Sequence, residues 1–160
     1  RMLLENIQSI ADDNGIVLDV HIPEAPIECA LDTALIQRML LNIIANCMER
    51  CSRGDRIHIA VTQEGDRADI IICDDGTRVT GVDFSDLSSN GFGLTVALGV
   101  AEKHNGTILL ESNAWNGTTF HVVLSTVLPE STLFRAPRAP YVRAEEDPVM
   151  IFLADQIPKT

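Results

Sequence analysis

Residues 33–51, TALIQRMLLNIIANCMERC, place Ile36, Leu40, Ile43, Ile44, Cys47, Met48 and Cys51 at helical spacing. The resulting apolar stripe is wide and calls for a long helix laid against a core. Asp32 stands just before it as an N-cap, able to accept from the first free backbone N–H groups. Asn42 and Asn46 interrupt the stripe four residues apart, hence on one face, with Glu49 a further turn along. Asparagine is a mediocre helix former, so the pair gains nothing locally. Either it lines a solvated edge or it serves a site.

Shorter segments flank this helix. Leu3, Leu4, Ile7, Ile10 and Ala11 predict a first helix that closes on Asn14-Gly15. IVLDVHI (16–22) alternates around Asp19 and His21 as a strand, with His21 outward, and stops at the turn containing Pro23 and Pro26. RIHIAVT (56–62) and RADIIIC (67–73) read as strands joined through QEGD, with Gly65 placed for a hairpin. Asp74-Asp75-Gly76 follows a strand that looks buried, where a carboxylate reads a ligand or simply forms an acidic turn. Residues 77–90 have no periodicity. Leu94, Ala97, Leu98 and Ala101 mark a further helix ending near His104-Asn105-Gly106, followed by strands over 107–112 and 118–125. His58, His104 and His121 are scattered, and none has a Ser, Cys or Asp partner at a spacing that suggests catalysis.

The whole chain has 160 residues, 46% of them hydrophobic, which suits one globular domain with a tail. A formal charge of −11 and a pI near 4.6 argue against nucleic acid as a partner, because phosphates would meet a repulsive field. No apolar run approaches the roughly 20 residues that span a bilayer, and the first ten residues lack a signal peptide's apolar stretch. A soluble, intracellular domain is expected. Cys29, Cys47, Cys51 and Cys73 form no CxxC pair and sit in apolar segments, so buried reduced thiols are expected rather than a zinc site. Arg1 in place of a methionine suggests a fragment of something longer. After Ser125, Pro129, Pro137, Pro140 and Pro148 with interspersed arginines give a linker composition. Pro137-Arg138-Ala139-Pro140 fits PxxP, a pattern that arises easily by chance, and PVMIFLAD (148–155) reads as a last strand or the opening strand of another domain.

The order of motifs resembles the ATP-binding catalytic domain of sensor histidine kinases, in the wider group that includes gyrase, the Hsp90 chaperones and MutL. Leu41-Asn42-Ile43-Ile44-Ala45-Asn46 is similar to that family's asparagine box. Asp74-Asp75-Gly76 resembles the first glycine box, and Asn90-Gly91-Phe92-Gly93-Leu94 the second. Lys103 to Ile108 and Gly117 to Phe120 match the segments that usually follow. Each motif alone is weak; five in order are specific. The resemblance implies a two-layer α/β sandwich of the Bergerat type, a mixed and largely antiparallel sheet with helices on one face, over residues 1–127, with 128–160 as linker or tail. It implies ATP and Mg2+ as cofactors. Carried over by position, Asn46 helps coordinate magnesium and Asn42 faces the same phosphates. Asp74 accepts from the adenine amino group, Gly76 lets the backbone pass close to the base, and Thr118 supports the adenine side. Gly91 and Gly93 turn backbone N–H groups at a helix start toward the phosphates. A Rossmann reading competes poorly, since this Gly-x-Gly follows a polar loop, and no Walker lysine occurs.

The implied function is the catalytic domain of a two-component kinase, holding Mg-ATP for transfer to a histidine on an upstream dimerisation helix. Its partners would be those helices in a homodimer and a response regulator, with no nucleic acid. Its place would be cytoplasmic, alone or as the inner part of a membrane-bound sensor. The sequence also departs from the pattern. Glu49 and Arg50 stand where the family has a lysine and then an aromatic, so ATP is repelled unless Arg50 or Arg53 swings in. Arg78 replaces a glycine, to block the site or to pair with a phosphate, and Ser89 replaces another. Only about a dozen residues separate the two glycine boxes, with Phe84 the lone aromatic, too few for a long lid. These departures favour a second class of function, a nucleotide-free platform of the pseudokinase or histidine-phosphotransfer kind. A third, an anti-sigma-factor kinase acting on serine, is disfavoured by the internal start.

Overall fold

The computed structural model describes residues 2–76, 92–113 and 117–128. The tail beyond Leu128, with its PxxP match and expected strand, lies outside the described residues. So do Arg78, Phe84, Ser89, Asn90 and Gly91.

Eight elements follow one another: α1 (Met2–Asn14), β1 (Val17–His21), α2 (Thr33–Arg50), β2 (Arg56–Glu64), β3 (Arg67–Asp74), α3 (Phe92–Lys103), β4 (Thr107–Asn113) and β5 (Gly117–Ser125). Asp32 caps α2 as expected, its carboxylate accepting from Leu35 N at 3.1 Å. α1 ends where Asn14-Gly15 predicts, with Gly15 at φ +68° and Ile16 N donating back to the Ala11 carbonyl at 2.8 Å. α3 ends the same way through Asn105 and Gly106. His104 is structural there. Its Nδ1 lies 2.7 Å from the Val100 carbonyl, and its Nε2 accepts from Asp32 N at 3.1 Å, which ties the end of α3 to the start of α2.

The strands form one sheet in the order β1-β2-β3-β5-β4. β1 and β2 run parallel, a pairing that needs the long crossover that α2 supplies, and the other neighbours are antiparallel. Alternation places one side chain of every two against the helices: Ile57 and Ile59 from β2, Ile72 from β3, Phe120, Val122 and Leu124 from β5. They meet Ile7, Ile10 and Ala11 of α1, the stripe of α2, and Leu94, Ala97, Val100 and Ala101 of α3 in one continuous core. A mixed sheet carrying helices is the architecture the motif order implied. No described helix is long and apolar enough to cross a membrane. The cysteines are free, but only Cys47 is fully buried; Cys29, Cys51 and Cys73 are part-exposed. Membership of an apolar segment places a thiol near the core without deciding which side of the strand or helix it leaves from.

Candidate functional site

On the face of β3 and β5 that meets the helices, cross-strand pairs run Ala68 with Leu124, Ile70 with Val122 and Ile72 with Phe120, and the row ends in Asp74 opposite Thr118. Neither Asp74 nor Thr118 has exposed surface. From α2, Asn42 and Asn46 enter the same interior, at 5% and 7% exposure. Among the described residues, these four are the buried polar or charged side chains. All four are residues that the sequence motifs single out. An apolar core that admits four polar groups needs partners for them, because a buried group left unpaired costs about 1–3 kcal/mol.

Some partners are internal. Asn46 Nδ2 donates to the Asn42 carbonyl at 2.7 Å, which fixes the amide and leaves Oδ1 as its acceptor atom. Arg50, at the last turn of α2, reaches Asp74 with Nη2 at 2.6 Å from Oδ2. Gly76 N–H donates to Asp74 Oδ1 at 3.3 Å. The guanidinium carbon lies 6.0 Å from the Phe120 ring centroid, and Nη2 is 3.8 Å from Cys47 Sγ. Among the buried side-chain nitrogen and oxygen atoms of the described residues, two have no hydrogen-bond partner: Arg50 Nε and Thr118 Oγ1. An orphan donor and an orphan hydroxyl adjoining a buried carboxylate make a polar recess suited to a ligand that both donates and accepts.

Two glycines keep the recess in shape. A Cβ on Gly76 would sit 2.6 Å from the Arg50 carbonyl oxygen, so the chain leaving β3 passes against the end of α2 only because no side chain intervenes. Gly117, at φ +69°, opens β5 in a conformation L-residues rarely adopt, and a Cβ there would collide with the Asp74 backbone. Gly76 thus has a reason in the protein itself, whatever it does for a base. Gly93 lies in the first turn of α3, which packs along α2; its partner in the motif, Gly91, falls outside the described residues.

Charge around the recess is arranged otherwise than the sequence suggested. Glu49 is exposed. Arg50 is held by Asp74, and the Arg53 stem covers Gly15, 2.7 Å from where a Cβ would stand. Burial, and next the Asp74 charge, hold the Cys47 thiol well above its ordinary range. Burial likewise pushes Cys51 up to about 12, with Asp74, Asp55 and Asp75 adding to it. Both thiols stay protonated at neutral pH and offer no nucleophile. Sequence reasoning missed the Arg50–Asp74 pair, since 24 residues separate the partners and only the closing of β3 under α2 joins them. It also missed a cluster on the far side of the sheet, where Asp19 meets both His21 and His58; the cue was the i, i+2 spacing in β1.

The chain is similar to known proteins in sequence and in fold. The profile of the histidine kinase-, DNA gyrase B- and HSP90-like ATPases matches residues 31–128. Sporulation kinase B of Bacillus subtilis is 32% identical over 108 residues, which is 61% of this chain and 25% of that protein. Histidine protein kinase DivJ of Caulobacter vibrioides is 24% identical over 141 residues, 79% of this chain and 23% of that protein. The chain thus spans about a quarter of the length of these curated relatives. Among solved structures, the nucleotide-free catalytic domain of histidine kinase ThkA superposes with a TM-score of 0.68 at 17% identity, covering 79% of this chain and 90% of that one. At that identity the likeness establishes the fold.

Proposed function

The chain belongs to the family of histidine kinase-, DNA gyrase B- and HSP90-like ATPases, and from that premise we propose that it is the ATP-binding catalytic domain of a two-component sensor kinase. The observation that carries this reading is the buried quartet of Asn42, Asn46, Asp74 and Thr118, with a hydroxyl among them that has no partner among the described residues. Asp74 accepts from the exocyclic amine of adenine, and the Thr118 hydroxyl bonds the same edge of the base. Asn42 and Asn46 face the phosphates. Asn46 Oδ1, left over once Nδ2 is committed, is a hard oxygen of the kind Mg2+ prefers. When bound, magnesium would neutralise phosphate charge for transfer. Gly93, in the first turn of α3, offers its N–H to the same phosphates, where the helix dipole favours negative charge. The domain's contribution to phosphoryl transfer is then positioning and electrostatics, with the acceptor histidine on a dimerisation helix of the same protein and a response regulator as the next recipient.

Arg50 supports a second reading. Its guanidinium occupies the carboxylate that would receive the base, 2.6 Å away, as expected of a nucleotide-free platform that binds proteins. Titration calorimetry with a non-hydrolysable ATP analogue and with ADP, each with and without magnesium, separates the two. Saturable, magnesium-dependent binding that Asp74→Asn removes, in a variant still folded by circular dichroism, is the expected result. No heat at millimolar nucleotide from folded native chain would overturn the kinase reading and leave the platform.

A further inference from the structure

We propose that Asp19, His21 and His58 form a binding site for a divalent transition-metal ion of the zinc class, on the sheet face turned away from the helices. Asp19 and His21 stand two apart on β1, so they leave the strand on one side. The parallel register sets His58 of β2 opposite Asp19. Their neighbours in the alternation, Leu18, Val20, Ile57 and Ile59, pack into the core, which turns the three to the opposite face.

The geometry is close to a three-ligand set. His58 Nδ1 lies 3.1 Å from Asp19 Oδ2, and His21 Nε2 lies 3.2 Å from Asp19 Oδ1. The imidazole centroids are 5.2 Å apart with the rings tilted by 46°. One ligand atom from each residue falls within 4.8 Å of the other two. Tetrahedral coordination at ordinary zinc bond lengths spaces ligand atoms ~3.3 Å apart, so small side-chain rotations complete the set with no change in backbone. Two imidazoles and a carboxylate leave a fourth position for water. That donor mix suits zinc, copper or nickel, whereas magnesium and calcium favour oxygen alone.

Three further features support it. The donors sit on paired strands, which hold them more rigidly than a loop would. The side chains are reachable, at 38% exposure for Asp19, 39% for His58 and 66% for His21. The chain's formal charge of −11 adds a general attraction for cations. This site is independent of the nucleotide reading, since the sheet separates it from Asp74 and α2.

The test is calorimetric titration of the untagged chain, first stripped with a chelator, with zinc chloride at neutral pH, alongside thermal melts. One ion bound per chain, at micromolar affinity or tighter and with a raised melting temperature, is expected. Asp19→Asn, His21→Gln and His58→Gln should each weaken binding by at least ~10-fold. His121→Gln, which removes an imidazole outside the cluster, should leave it unchanged. Absence of saturable binding at millimolar zinc would overturn the proposal. So would folded Asp19→Asn and His58→Gln variants that bind zinc as tightly as the native chain, since the ion would then sit elsewhere.

Discussion

Replacing Arg50 with methionine should weaken the fold and strengthen the nucleotide site together. Methionine keeps an unbranched apolar stem under α2 and removes the guanidinium, leaving Asp74, which has no exposed surface, without its ion-pair partner. Breaking a buried pair from one side costs about 3–5 kcal/mol. In a domain of this size that corresponds to a drop in melting temperature of roughly 10–15 °C, against a total stability of about 5–15 kcal/mol that leaves the protein folded in the cold. The nucleotide side runs the other way. In the native chain the adenine amine must first displace Arg50 from Asp74, so one charge-assisted bond is exchanged for another. In Arg50→Met the carboxylate is already open, and the amine keeps the whole of a bond worth about 1.5–3 kcal/mol. That is a gain of roughly 10- to 100-fold in affinity. Thermal shift over a series of Mg-ATP-analogue concentrations, with calorimetry at low temperature, reads both quantities. A folded Arg50→Met protein that binds nucleotide more weakly than the native chain would show Arg50 to be a contact for the ligand and refute the reasoning.

Thr118→Val removes a buried hydroxyl that has no partner among the described residues and should leave the ligand-free protein as stable or about 1 kcal/mol more stable in urea titration, while lowering nucleotide affinity by calorimetry. Gly76→Ala places a Cβ 2.6 Å from the Arg50 carbonyl and should destabilise by about 1–3 kcal/mol, measured by the same urea titration. Cys51 has its folded-state pKa raised to about 12, so its neutral form is favoured by folding. The stability this contributes is complete below the unfolded thiol's range near pH ~9 and falls as pH climbs from there toward 12. Alkylation followed by mass spectrometry at mildly alkaline pH should therefore find Cys47 and Cys51 protected in the native chain and modified once it is unfolded.

Local chemistry made most of the fold legible in advance. Asp32 caps α2, Asn14-Gly15 closes α1, and Gly65 turns the β2–β3 hairpin because each choice is decided within a few residues of chain. Asn42 and Asn46 were legible too, as polar residues four apart that break an apolar stripe, whereas Asp74 read only as a strand-end carboxylate open to two explanations and Thr118 stood out only through the family resemblance. What the sequence hid were contacts made by assembly. Arg50 reads as an ordinary basic residue at a helix end, where it favours the dipole, until β3 brings Asp74 beneath it. His58 reads as one of several scattered histidines until the parallel register sets it beside Asp19. Glu49 and Arg50 are neighbours in sequence, yet one is exposed and the other spans the recess, because successive helix positions point about 100° apart.

The Arg50–Asp74 pair also bears on why the interior of this domain is polar at all. A buried ion pair is weak evidence for stability, since apolar residues of similar volume in its place are often neutral or stabilising by about 1–4 kcal/mol. Thr118 adds a hydroxyl that valine would match in shape without the cost of an unmet bond. Asn42 and Asn46 take two positions of α2 that leucine would fill more favourably for the core. If the domain only had to stand as a docking surface, each of these four choices would be a separate loss. If it has to receive a donor-and-acceptor ligand beside phosphates, they are one arrangement. Arg50 then keeps Asp74 compensated while the recess holds no ligand. On that view Arg50 sets how tightly nucleotide is held without abolishing the site, and for this reason the methionine variant separates the two readings more sharply than any change at Asp74 itself.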